Sequence, residues 1–171
     1  SGEVICADCG KVIQIEIWET VNVTLDPDIK QRILDGSFYL VQCQACGWSK
    51  FLEYNSLYHD MERGAMIWLD PGGDPPYNLD SVYDKKIRKY QQGYRYRTVR
   101  TLKDLIEKIY IFDGLLDDRV LELYKLHMME NIRRARPEVT GWPFFSLHDH
   151  DHPVMFLAGS NTDDVTVYGY Y

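Results

Sequence analysis

Cys6-Ala7-Asp8-Cys9-Gly10 and Cys43-Gln44-Ala45-Cys46-Gly47 decide how this 171-residue chain is read. Each has the form Cys-x-x-Cys-Gly, and together they hold all four cysteines of the chain. A Cys-x-x-Cys turn sets two thiolates on one side of a tight loop, where each can reach a single ion at about 2.3 Å. Two such turns supply the four sulfurs of a closed tetrahedral site. The glycine after each second cysteine can take positive φ, so the chain can fold back and point amide N–H groups at the sulfurs. The expectation is one structural Zn2+ held by Cys6, Cys9, Cys43 and Cys46. A closed four-sulfur site has no open position for water, so it folds protein rather than activating a nucleophile. Four thiolates around one dication leave about −2 of charge, which repels phosphate unless basic groups lie nearby.

Two other uses of paired cysteines fit less well. A redox Cys-x-x-Cys opens a helix after a strand, whereas Lys11–Val23 alternates like a strand. Disulfides suit a secreted chain, and no hydrophobic leader is evident, so reduced cysteines in the cytoplasm are expected.

The flanking residues turn the knuckles into a fold. Ile13, Ile15, Ile17, Val21 and Val23 share one side of a two-residue period, which predicts one long strand over Val12–Val23 with Trp18 on the other side. Asp26 and Pro27 open a helix as cap and first residue, Ile29, Ile33 and Leu34 form its stripe, and Gly36 ends it. Phe38–Gln42 leads into the second knuckle and Trp48–Tyr54 leads out. Strand–knuckle–strand thus occurs twice, as a zinc ribbon with an inserted helix. Ser56–Arg63 reads as a short helix, Ala65–Leu69 as a short buried strand, and the proline- and glycine-rich Asp70–Asn78 as a break. Thr101 caps a helix through Phe112, with Asp104 in its first turn. A second helix runs from about Asp117 to Ala135, its acidic start and its Arg133, Arg134 and Arg136 finish complementing the helix dipole. Its predicted packing stripe is Val120, Leu123, Tyr124, His127 and Met128. A short turn joins the two helices as an antiparallel hairpin. Phe144–Leu147, Val154–Leu157 and Val165–Tyr170 are short strands. The fold class is therefore α+β: a zinc ribbon with an inserted helix, an antiparallel helical hairpin, then a small C-terminal β unit. The expected division is 3–70 for the metal-bearing core, 71–136 for the basic segment and hairpin, and 137–171 for the β extension.

The bulk numbers exclude some functions. Apolar residues make up 45% of the chain, yet no run approaches the ~20 apolar residues of a membrane span. A net charge of −7 argues against nucleic-acid binding by the surface as a whole. The exception is residues 85–103, which hold eight basic residues and no acidic one, leaving −15 on the rest of the chain. Lys85, Lys86, Arg88, Lys89, Arg95, Arg97 and Arg100 interleave there with Tyr90, Tyr94 and Tyr96. Such a stretch can neutralise phosphates and stack bases, or it can pair with the acidic remainder, which the available charge favours.

Beyond the knuckles, the Asp26-Pro27 helix, Tyr58-His59-Asp60-Met61, Met66-Ile67-Trp68-Leu69 and Ile111–Arg119 complete a pattern over most of residues 3–135. In it the chain resembles the bacterial CpXC family, which carries two Cys-Pro-x-Cys knuckles flanking a segment of this length. The family's proline is replaced by Ala7 in one knuckle and Gln44 in the other, which softens the turns without removing a ligand. The resemblance implies a metal-binding domain with ligands at Cys6, Cys9, Cys43 and Cys46, and names no activity.

One further constellation has metal-binding chemistry. His148, His150 and His152 alternate, so in an extended chain they share a side and could grip a second metal. A solvated polar loop stopped by Pro153 is the favoured reading of them. There is no His-Glu-x-x-His, no nucleophile elbow and no phosphate-cradling glycine loop. The expected function is a non-catalytic zinc module that binds another protein or itself. Nucleic-acid binding through 85–103 and a metal-dependent enzyme at the histidines are the alternatives.

Overall fold

The computed structural model describes residues 1–73, 93–148, 152–158 and 165–169. Among these the chain is α+β, with three α-helices and eleven short strands in four small sheets. They group into two compact units, residues 1–106 and 107–171.

In the first unit, β1 (Gly2–Ile5) and β2 (Val12–Ile15) form an antiparallel hairpin around the first knuckle, with Ile5 opposite Val12. A second hairpin, β4 (Leu40–Gln42) and β5 (Ser49–Phe51), frames the other knuckle. Between them lie β3 (Thr20–Asn22), α1 (Pro27–Leu34) and a 3-10 turn over Ser37–Tyr39. The main sheet has the order β3-β6-β7-β8, with β6 (Ser56–Asp60), β7 (Ala65–Leu69) and β8 (Arg95–Val99). β6 and β7 pair antiparallel, while the outer pairings, β3 with β6 and β7 with β8, are parallel. Val21, Tyr58, Ala65, Ile67, Leu69 and Val99 make its buried face.

Three expectations change here. The single strand predicted over Val12–Val23 is two strands in two sheets. β2 pairs only as far as Ile15, opposite Gly2, where β1 begins, and after a four-residue gap β3 joins β6 instead. The helix predicted at Ser56–Arg63 is strand β6. Its inward residues are Ser56, Tyr58 and Asp60, and polar groups in the buried positions hid the two-residue period. They are satisfied locally: Ser56 and Tyr39 share a 2.8 Å hydroxyl bond, and Asp60 accepts from Tyr58 and Lys30, both at 3.2 Å. Asp26 does precede α1, with Pro27 at its start, but its side chain makes no cap bond. Asn22 orders this entry instead, its Oδ1 accepting from the amides of Thr24 and Leu25.

α2 (Leu102–Asp113) begins as expected, with Thr101 and Asp104 bonded reciprocally. It ends in the bonding pattern in which a left-handed residue closes the helix. The Leu115 and Leu116 amides donate to the carbonyls of Phe112 and Ile111. The left-handed position falls on Leu115 (φ 55°), not on Gly114.

The second unit holds α3 (Asp118–Ala135) and a three-stranded antiparallel sheet of order β11-β10-β9. Its strands are β9 (Pro143–His148), β10 (His152–Ala158) and β11 (Val165–Gly169). α3 does not pack through the stripe its apolar spacing predicts. Its buried residues are Asp118, Lys125 and Met129, whereas Val120 and Leu123 are 63% and 68% exposed. The inward face is organised by ion pairs. Lys125 Nζ meets Glu107 at 2.8 Å and Glu122 at 3.1 Å, and Lys108 Nζ meets Glu122 at 2.7 Å and Asp118 at 3.4 Å. Glu107 also accepts the Phe145 amide at 2.7 Å, which ties β9 to the helical pair.

Two outcomes follow for stability. Leu115→Gly should raise the unfolding free energy by about 0.5–1 kcal/mol, because glycine adopts positive φ without the Cβ penalty; urea unfolding measures it. Glu107→Ala should cost about 3–5 kcal/mol, since it leaves the Lys125 charge and the Phe145 amide buried without that carboxylate. The same titration reads the loss, and a change under 1 kcal/mol would rule out the network as a stabilising element.

Candidate metal centre

Each knuckle is a tight turn closed by its own backbone. The Cys6 amide donates to Lys11 O at 2.9 Å and the Gly10 amide to Cys6 O at 3.0 Å. The second knuckle repeats both bonds, Cys43 to Trp48 O at 2.7 Å and Gly47 to Cys43 O at 2.9 Å. Gly10 and Gly47 take φ of 71° and 80°, the left-handed conformation the sequence pattern requires of them.

The two turns face each other through their sulfurs. Cys6 Sγ lies 3.5 Å from Cys46 Sγ, Cys9 Sγ lies 3.6 Å from Cys43 Sγ, and all four are within 4.8 Å of one another. None is in a disulfide. Sulfurs at 2.3 Å from a tetrahedral ion lie about 3.8 Å apart, so this spacing suits one metal ion. The first cysteine of each knuckle is buried and the second exposed.

Backbone amides reach the sulfurs as the glycine pattern implies: Ala45 and Cys46 to Cys43, Lys11 to Cys9, and Trp48 to Cys46. The Ala45 amide, with help from Cys46 and Cys9, draws the Cys43 thiol down to about 6 against the effect of burial. At Cys46 the Trp48 amide lowers the thiol, but burial and the other three sulfurs outweigh it and push the value up to about 12. At Cys9 the Lys11 amide lowers the thiol, but burial and the Cys6 and Cys43 thiols outweigh it and raise the value. Four crowded thiols resist sharing four negative charges, and a dication among them removes that resistance.

A family model described as CpXC protein matches residues 4–125, a span that contains both knuckles and the whole of the first unit's main sheet. The chain belongs to the CpXC family. No curated protein and no solved structure matches it. The CpXC match extends through α2 into α3 and leaves the C-terminal sheet outside it.

The other predicted residues are scattered. Lys85, Lys86, Arg88 and Lys89 lie outside the described residues, as does Tyr90. Arg95 and Arg97 are on β8. Arg95 donates to Arg63 O at 3.3 Å and Arg97 to Tyr96 O at 2.7 Å, while Arg100 pairs with the buried Asp70 at 2.8 Å. His148 and His152 are directly opposed across β9 and β10, and His150 lies outside the described residues. Strand alternation in β6 sends His59 to the face opposite Tyr58 and Asp60. There it meets Tyr94 Oη at 3.3 Å, and burial lowers its pKa. No helix among the described residues is long and apolar enough to cross a membrane. The glycines imply amide donors to the sulfurs, but the sequence does not say that Lys11, Ala45, Cys46 and Trp48 supply them.

Gly47→Ala should weaken metal binding about tenfold, since a left-handed alanine costs roughly 1–2 kcal/mol and a Cβ there meets nothing within 4 Å. Competition with a chromogenic chelator measures it, and unchanged affinity would show that the knuckle tolerates the residue.

Proposed function

We propose that this CpXC chain is a ribbon-type zinc protein whose metal is structural and whose role is non-catalytic interaction with another protein or with itself. The observation that carries the reading is the convergence of four unbridged sulfurs from the tips of two hairpins. Zinc suits four thiolates in a tetrahedral set, and a site filled by four protein ligands leaves nowhere for a substrate to bind. Unbridged cysteines accord with a reducing compartment, the bacterial cytoplasm in this reading. The metal-bearing core is assigned to residues 3–70, followed by 71–136 and 137–171.

A second reading, a metal-dependent enzyme using His148, His150 and His152, draws on the direct opposition of His148 and His152 across their hairpin. Metal content separates the two: one zinc per chain supports the structural site alone, and a second equivalent lost on changing the histidines to alanine supports catalysis. Cys43→Ser should lower zinc from one equivalent to none and abolish hydrogen-exchange protection in β1, β2, β4 and β5. Zinc retained with unchanged protection would refute the structural site.

A further inference from the structure

The four sulfurs are not equivalent, and their asymmetry runs across the knuckles. Cys6 and Cys43 are 1% and 2% exposed, whereas Cys9 and Cys46 are open to solvent. Each exposed sulfur touches a buried one from the other hairpin. Cys46 Sγ lies 3.5 Å from Cys6 Sγ, and Cys9 Sγ lies 3.6 Å from Cys43 Sγ. An accessible thiolate is the form that a hydroperoxide oxidises, and a second thiol in contact with it diverts the product into a disulfide. Both parts are present twice in this cluster.

We infer that the cysteine cluster is a reversible redox switch, in which a hydroperoxide joins Cys9 to Cys43 and Cys46 to Cys6 and the metal is given up. This inference deepens the zinc reading above and rests on it. The Cys9 thiolate attacks one peroxide oxygen: the S–O bond forms, the O–O bond breaks and hydroxide leaves, giving a sulfenic acid. The Cys43 thiolate then attacks that sulfur: the S–S bond forms, the S–O bond breaks and a second hydroxide leaves. Two electrons pass from the sulfur pair to the peroxide, and Cys46 with Cys6 repeats the sequence on a second peroxide. Sulfurs bonded to each other carry no charge to hold a dication, so oxidation and metal loss are one event.

The pairing decides what remains afterwards. A bond within a knuckle ties residues three positions apart and leaves the hairpins free of each other. Bonds across the knuckles tie residues 34 and 40 positions apart, the same closure that a shared ion makes. The oxidised chain therefore keeps its two hairpins together without metal, and reduction returns four thiols that are already gathered.

Peroxide titration of the full zinc-loaded chain tests this. Zinc content is read first, and hydrogen peroxide is then added to about two equivalents per chain. All four thiols should be lost as the one zinc passes to a chromogenic chelator. Trypsin cuts after Lys11, Arg32 and Lys50, which leaves Cys6 and Cys9 on one peptide and Cys43 and Cys46 on another. These two peptides should appear joined in the unreduced digest, with fragment ions assigning Cys6 to Cys46 and Cys9 to Cys43. Hydrogen-exchange protection in β1, β2, β4 and β5 should persist in the oxidised, zinc-free chain, and dithiothreitol with added zinc should restore the starting metal content. Any other pairing overturns the proposal, including an internal disulfide in each separate peptide. So do sulfinic or sulfonic acids in place of disulfides, or zinc retained throughout the titration. A chain without zinc before any peroxide is added overturns the metal reading and this switch with it, so the two failures are told apart.

Discussion

The first unit depends on four sulfurs meeting at one point. β1 and β2 have four residues each, β4 and β5 three, and every residue of β5 is exposed. Two-stranded hairpins of this length are marginal in water. The cross-knuckle contacts join residues 34 and 40 positions apart, so closure loops the chain around β3 and α1. A bound ion turns that loop closure from an entropic cost into a consequence of coordination. The amides of Lys11, Ala45 and Trp48 matter for the same reason, since they stabilise sulfur charge that burial alone would oppose.

The second unit solves a different problem. Lys108, Lys125, Glu107, Glu122 and Asp118 sit in a shared network rather than as isolated charges. Such a network is weak evidence of net stability, because removing ions from water offsets much of their attraction. Its value lies in register. Glu107 uses one oxygen for Lys125 and the other for the Phe145 amide, so α2, α3 and β9 meet in one arrangement. The buried apolar side chains of Ile109, Phe112 and Met129 carry no such directional demand.

What was legible in the sequence follows from how local its chemistry is. Pro27 and the α1 stripe, the Thr101–Asp104 box, the buried run Ala65–Leu69 and the C-terminal strands each depend on neighbours in sequence, and each appears as expected. The parallel pairings of β3 with β6 and β7 with β8 are non-local and leave no local mark. β6 was misread because Ser56 and Asp60 are polar where a buried strand position usually is not. The orientation of α3 failed for the converse reason, since apolar spacing locates a face without saying what it faces. The cysteine cluster was legible because two knuckles with no cysteine left over admit few geometries. The histidine register was not, because it depends on where β9 and β10 turn.

Cys6 and Cys43 are shielded while Cys9 and Cys46 stand at the surface, so the cluster has an inner and an outer half. Reagents arriving from solution, whether alkylators or competing thiols, encounter the outer half first. An ion held by all four sulfurs would therefore exchange in one direction, outward, with the two shielded sulfurs the last to let go.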